Sequence, residues 1–312
     1  MKLSQIEIQK LLDHYQNGRY HDAEKMALSI TQEFPEHQFP WKVLGALFEE
    51  TGRKSDALTA NEKSVQLEPQ DAEAHYNLGN TFLGLDRLEE AEASFKQAIL
   101  LRSDFALAHY NLGITLKALG RLEEAEASYR KAIVLKLNYA EVYSNLGITL
   151  IEMDRLREAE ASFRQAIILK SNYAEAHNNL GISLKEMNRS DEAEASYRHA
   201  IALKPDYADA HRNLGVTLYD LGRLEEAEES YTHAIALKTD FTTALMNRWQ
   251  LLFDKGEFDT ALRDADSCNT GESRACGLET LYALGRIDEI YKRLEIYSEF
   301  DDTNIRMAAF SA

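Results

Sequence analysis

The chain has 312 residues, 45% of them hydrophobic, with 52 acidic against 35 basic side chains and a formal charge of −17. Nucleic-acid binding needs basic surface to neutralise phosphates, so this balance argues against nucleic acid, and against anionic membranes, as partners. Basic or neutral peptides suit it better. The opening MKLSQIEIQKLLDHY is interrupted by Glu7, Lys10 and Asp13 and lacks the apolar core of a signal peptide. No run approaches a membrane span. The two cysteines, Cys268 and Cys276, lack a CxxC spacing, and a reduced, cytoplasmic setting fits them.

In chain order, residues 4–37 read as a degenerate first unit. Leu11, Gly18, Ala23 and Pro35 hold a register there, but a Leu-Gly pair is missing. Polar Lys10, Asp13 and His14 suit an end unit with one exposed side. Residues 38–71 form a fuller unit. Units 72–105, 106–139, 140–173, 174–207 and 208–241 then repeat cleanly every 34 residues. Leu-Gly recurs at Leu44-Gly45, Leu78-Gly79, Leu112-Gly113, Leu146-Gly147, Leu180-Gly181 and Leu214-Gly215. An alanine follows in phase from Ala57 to Ala227, then an aromatic from Phe95 to Tyr231, then a small residue from Ala98 to Ala234. Co-periodic markers at this spacing mean a stacked array.

Each unit reads as two helices. In 106–139 the first runs from Ala106 to Leu119, Gly120-Arg121 breaks it, and the second runs from Leu122 to Lys136. Glu123 and Glu124 in its first turn and Lys136 in its last suit the helix dipole. Gly113 and Ala125 leave room for two backbones to approach, with Leu112 and Tyr129 filling the remaining space. Residues 242–275 keep the register but lose the signature, with Trp249 where the glycine stood. After Cys276 the period slips. Leu281–Arg286 reads as the end of a shortened first helix and Ile287–Phe300 as a second. Residues 276–312 are thus expected to be a helical cap. Its apolar finish, Met307-Ala308-Ala309-Phe310, reads as the cut end of a longer protein.

These markers resemble the tetratricopeptide repeat. Trp41, Leu44, Gly45, Ala57 and Pro69 follow its pattern in one unit, and His211, Leu214, Gly215, Ala227, Tyr231 and Ala234 in another. Departures are His or Tyr for the first Trp (His75, His109, Tyr143, His177, His211) and loss of the closing Pro at Ser103, Leu137, Ser171 and Thr239. The resemblance implies an all-α, right-handed superhelical solenoid of antiparallel helix hairpins. First helices would line its concave face and second helices its convex face.

On the implied concave face, one column stands out: Asn77, Asn111, Asn145, Asn179, Asn213 and Asn247. Asparagine is a poor helix former, and core packing does not require it there. Its amide can both donate to and accept from a peptide backbone, so a ladder of them could hold an extended chain. Alternatively, each amide bonds a neighbouring helix and fixes the stacking. The ladder resembles that of the repeat domain of O-linked N-acetylglucosamine transferases, which implies polypeptide binding. Neighbouring positions that would set preference are Tyr76, Tyr110, Asn80, Lys117, Lys185, Arg212 and Tyr219, with apolar Ile114, Ile148 and Ile182. Glu141, Glu152, Glu175, Glu186, Asp209 and Asp220 could orient a basic segment or form a solvated rim. The few scattered cations disfavour clamping of an acidic C-terminal tail.

The histidines sit one repeat apart, roughly 10 Å by helix-packing distances. Zinc ligands must approach one ion to about 2.1 Å, so these side chains read as packing residues. No phosphate loop, HExxH or GxSxG occurs. The expectation is a protein-interaction scaffold without catalytic residues, cofactor or metal. Two other readings remain open at this point. One is the substrate-recognition arm of a larger transferase or oxygenase. The other is a self-assembling solenoid, a homodimer joined through its repeat ends.

Overall fold

The computed structural model describes residues 3–135, 139–268 and 270–297. Eighteen helices and no strand occur among them. They fall into two compact units, residues 1–169 and 170–312. The first holds α1 (Gln5–Gln16), α2 (Tyr20–Glu33), α3 (Gln38–Glu50), α4 (Lys54–Leu67), α5 (Ala72–Gly84), α6 (Leu88–Leu101), α7 (Ala106–Ala118), α8 (Leu122–Val134), α9 (Ala140–Glu152) and α10 (Leu156–Leu169). The second holds α11 (Ala174–Glu186), α12 (Ser190–Leu203), α13 (Ala208–Asp220), α14 (Leu224–Leu237), α15 (Thr242–Asp254), α16 (Phe258–Asp266), α17 (Gly271–Ala283) and α18 (Ile287–Tyr297).

Within each unit, consecutive helices pack as hairpins, and each first helix also touches the first helix of the next hairpin, as α5 touches α7 and α7 touches α9. The glycine after the marker leucine allows this. A Cβ built on Gly113 would stand 2.6 Å from the Tyr129 ring, and one on Gly147 would stand 2.7 Å from Phe163. Ala125, Tyr129 and Ala132 are fully buried. The five hairpins from α5–α6 to α13–α14 therefore close by seating an aromatic ring of the second helix on the bare backbone of the first, whereas Gly45 of α3 meets the Asn61 side chain of α4.

The turn between paired helices needs a left-handed residue. Gly120 has φ 74°, Gly120 N–H donates to the Lys117 carbonyl (2.9 Å) and Arg121 N–H to the Leu116 carbonyl (2.9 Å). This satisfies the last carbonyls of α7. The same turn uses Asp86, Asp154 and Asn188 at φ 59°, residue types that tolerate this region.

The end of the second unit differs from expectation in one respect. The first helix α17 has its full 13 residues, and the shortened element is α16, with nine residues against 14 in α14. The turn glycines record the same loss, since Gly256 and Gly285 are five residues closer than Gly222 and Gly256. Hairpin α17–α18 therefore opens at Gly271, inside the span 242–275. Large and small residues are also exchanged there. Trp249 stands at the glycine position and Ala265 at the aromatic position, both buried, and the indole N–H donates to Thr280 Oγ1 (2.9 Å). The apolar finish and any stacking around Met307 and Phe310 lie outside the described residues.

Candidate first-helix wall and its asparagine column

The wall of the first unit is built by α3, α5, α7 and α9. It carries Asn77, Asn111 and Asn145 at one helical position, all half-buried. Asn111 Nδ2 donates to Asn80 Oδ1 (2.7 Å) and to the Tyr76 hydroxyl (3.2 Å). Asn145 Nδ2 donates to the Tyr110 hydroxyl (2.9 Å). In the second unit the wall is α11, α13 and α15. Asn213 Nδ2 donates to Asn178 Oδ1 (2.9 Å), Asn178 Nδ2 donates to Asn179 Oδ1 (3.3 Å), and Asn247 hydrogen-bonds the Tyr231 hydroxyl. For Asn111, Asn145 and Asn213 these bonds reach the preceding hairpin and use Nδ2, which leaves Oδ1 as an acceptor. The asparagines thus tie hairpin to hairpin.

The choice Asn145 makes has a consequence below it. The Tyr129 hydroxyl is buried without a hydrogen-bond partner, and burial pushes its pKa well above the usual phenol value. An unpaired buried hydroxyl costs about 1–3 kcal/mol. The equivalent Tyr231 hydroxyl has its asparagine.

Tyr76 and Tyr110 are oriented by rings beneath them: Tyr76 lies 4.8 Å from Phe105 and 6.0 Å from Phe95, and Tyr110 lies 6.0 Å from Tyr129, between centroids. Ile114, Ile148, Ile182 and Val216 are half-buried on the same helices. The charged positions are engaged across hairpins. Lys117 pairs with Glu152 (2.9 Å), Lys185 with Asp220 (3.1 Å), and the Tyr219 hydroxyl donates to Asp254, while Lys204 pairs with Glu175 (3.5 Å) inside its own hairpin. The Arg212 guanidinium lies 6.0 Å from the Phe241 ring centroid, and its Nε is buried without a partner. Of the acids expected to orient a basic segment, Glu186 and Asp209 have no cation partner among the described residues.

The histidines serve the inter-hairpin turns. His75, His109 and His211 place Nε2 3.0, 3.3 and 3.0 Å from the carbonyls of Pro69, Ser103 and Pro205. Burial holds His109, His177 and His211 below the ordinary imidazole pKa. His177 also stacks on His199 and His211 on His233, at 5.3 and 5.5 Å between centroids. Among the described residues no group of three histidines, cysteines or acids could hold a metal ion, and no helix is long and apolar enough to cross a membrane. Cys268 and Cys276 are free thiols, and burial pushes Cys276 up to about 12.

One column escaped the sequence reading. An arginine precedes most second helices and clamps two of them. Arg121 holds Glu124 of α8 at 2.6 Å and Glu92 of α6 at 2.8 Å. Arg155 holds Glu158 at 2.7 Å and Glu126 of α8 at 2.5 Å, and Arg223 holds Glu226 and Glu194 at 2.5 and 2.8 Å. These arginines hold Glu124, Glu158 and Glu226 below the usual carboxylate pKa. The readable signal was a 34-residue arginine period with acids three residues after and 29 before.

Comparison with known proteins agrees with this geometry. A family model for the tetratricopeptide repeat matches residues 9–72, 44–99, 76–136 and 178–240, and a second model for the same repeat matches 140–170. No curated protein matches the chain. Among solved structures, YrrB, titled a TPR protein with an unusual peptide-binding site, is 27% identical over 60% of this chain and 96% of its own, with a TM-score of 0.52. Two more distant structures share the fold alone. The Cut9–Hcn1 hetero-tetramer of the APC/C is 17% identical over 88% of this chain and 52% of its own (TM-score 0.59). PilF of Pseudomonas aeruginosa is 19% identical over 66% and 97% (TM-score 0.55). With repeat models covering more than half of its residues and glycine-on-aromatic packing in five consecutive hairpins, the chain belongs to the tetratricopeptide repeat family.

Proposed function

We propose that this chain is a protein-interaction scaffold that holds an extended polypeptide segment against its first-helix wall. The observation that carries this reading is the bonding of Asn111, Asn145 and Asn213. Each uses Nδ2 to grip the preceding hairpin, and the half-buried Asn111 and Asn145 are each left with a carbonyl oxygen that can accept from a peptide N–H, whereas Asn213 is buried. A row of acceptors held in this way recognises backbone with little demand on sequence. The half-buried Ile114 and Ile148, with Tyr76 and Tyr110, add apolar contact in the first unit. Lys117, Lys185 and Tyr219 are already engaged and would act through the pairs they form, and Arg212 faces the Phe241 ring. Asn77 continues the column in the first unit and Asn179 and Asn247 in the second, while Asn80 and Asn179 already accept through Oδ1 from Asn111 and Asn178. A basic or neutral segment fits the overall charge, with Glu186 and Asp209 as its unpaired acids. The peptide-binding site named for YrrB supports the same class of ligand.

The test is capture from the native organism's lysate by wild type beside the Asn111→Ala/Asn145→Ala/Asn179→Ala variant. Two of these changes also remove inter-hairpin bonds worth about 0.5–1.5 kcal/mol each, so thermal melts accompany the comparison. A partner lost by a variant that remains folded at the working temperature is the expected result. Equal capture by both proteins would move recognition off the column.

A further inference from the structure

Asn145 bonds one of two adjacent tyrosines and leaves the other unsatisfied. Its Nδ2 donates to the Tyr110 hydroxyl of α7 (2.9 Å). The Tyr129 ring of α8 lies 6.0 Å from that of Tyr110, and its hydroxyl is buried without a partner. Among the described residues no other tyrosine hydroxyl is left buried in this way. Buried polar groups are nearly always paired, so the exception calls for a cause.

The second unit shows the other arrangement at the same spacing. Asn247 stands 16 residues after Tyr231, as Asn145 does after Tyr129, and it hydrogen-bonds the Tyr231 hydroxyl. The difference lies 35 residues before each asparagine. Tyr110 offers Asn145 an acceptor there, as Tyr76 does for Asn111 and Asn178 for Asn213. Arg212 carries donors alone and cannot accept from Asn247. An asparagine thus grips the preceding first helix where that helix supplies an acceptor, and the second-helix tyrosine where it does not.

For Asn145 both partners are in place. The aromatic 16 residues before Asn111 is Phe95, which has no hydroxyl, and Asn213 is itself buried. Asn145 is half-buried, and a change of side-chain rotamer carries its amide from one tyrosine to the other. The two arrangements offer opposite chemistry. With Nδ2 on Tyr110, Oδ1 accepts from a peptide N–H. With Oδ1 taking the Tyr129 O–H, Nδ2 is released to donate to a peptide carbonyl. The second arrangement satisfies the buried phenol and still ties α9 to the preceding hairpin.

We propose, resting on the function given above, that Asn145 is a two-state contact of the binding wall. It accepts from a peptide N–H while bonded to Tyr110 and donates to a peptide carbonyl while bonded to Tyr129. A carbonyl of the held segment therefore draws Asn145 onto Tyr129. The segment is read for N–H at Asn111 and for either backbone group at Asn145.

The probes are two small amides that stand for a peptide group. N-methylacetamide has both N–H and C=O, and N,N-dimethylacetamide has the C=O alone. Each is titrated into the full chain, isotopically labelled at asparagine nitrogen, and the side-chain amide signals are followed by NMR. Those of Asn111 and Asn145 are assigned with their Ala variants. N,N-dimethylacetamide should shift the Asn145 signal at least about twice as far as that of Asn111, whose Nδ2 is held by Asn80 and Tyr76. Tyr129→Phe should remove this excess and Tyr110→Phe should keep it. Both variants retain their rings, so the seat on Gly113 is preserved. Equal shifts at the two asparagines would overturn the proposal. So would an excess that survives Tyr129→Phe, as a spare N–H of Nδ2 would give. N-methylacetamide should also shift Asn111 where N,N-dimethylacetamide does not. Absence of that shift would contradict the acceptor column and this inference with it, whereas its presence without the Asn145 excess would overturn this inference alone.

Discussion

Gly113 and Tyr129 show how much one missing methyl group decides. The Tyr129 ring lies where a Cβ would be, 2.6 Å away, and both residues are buried. Gly113→Ala must push the ring or the helix aside, and overpacking of this kind costs about 1–3 kcal/mol. The expected outcome is a lower urea midpoint with unchanged slope for Gly113→Ala, whereas Ala127→Gly, on the exposed side of α8, costs only its helix propensity, about 1 kcal/mol or less. A Gly113→Ala variant as stable as wild type would mean that the hairpins do not close on this contact. The asparagines make the same point with polar groups. Asn111, Asn145, Asn213 and Asn247 bond across a hairpin boundary, and Asn145, by choosing Tyr110, leaves Tyr129 without a partner.

At the scale of the helix pair, charge and turn geometry set the pH response. The imidazoles of His109, His177 and His211 are half-buried against turn carbonyls and held below their ordinary pKa. They are faced by Lys131, His199 and His233 respectively. As pH falls through about 6.5, the unfolded chain takes up these protons before the folded one does. Stability is therefore complete above that value and declines below it. The arginine-clamped glutamates, Glu92, Glu124, Glu126, Glu158 and Glu226, have lowered pKa values, so their contribution is lost in a second window below about 4.5. Melting temperatures should fall between pH 7 and 5, and His109→Gln/His177→Gln/His211→Gln should flatten that part of the curve while leaving the acid limb in place. A triple variant that parallels wild type throughout would assign the pH response to other groups.

For the molecule as a whole, what could be read from sequence was what is local. The alanine, glycine and aromatic periods report contacts inside a hairpin, so the helix pairs from residue 38 to 241 were legible. The clamps of Arg121, Arg155 and Arg223, and the partners of Asn111 and Asn145, join residues about one repeat apart. The period showed that these columns exist, but rotamers decide which oxygen each donor reaches. Past Cys276 the slip was visible and its place was not. The five missing residues come from α16, whose sequence remains amphipathic, while α17 keeps full length. In the proposed function the asparagine column accepts hydrogen bonds from a peptide backbone. Its most direct test takes the shortest segment of a captured partner that still binds and compares it with the same segment N-methylated at alternate residues, by calorimetry. N-methylation removes N–H donors and keeps the side chains. An affinity loss of about tenfold or more when one set of alternate residues is methylated, and much less for the other set, is the predicted result. Unchanged affinity for both would contradict it and leave the asparagines as ties between hairpins only.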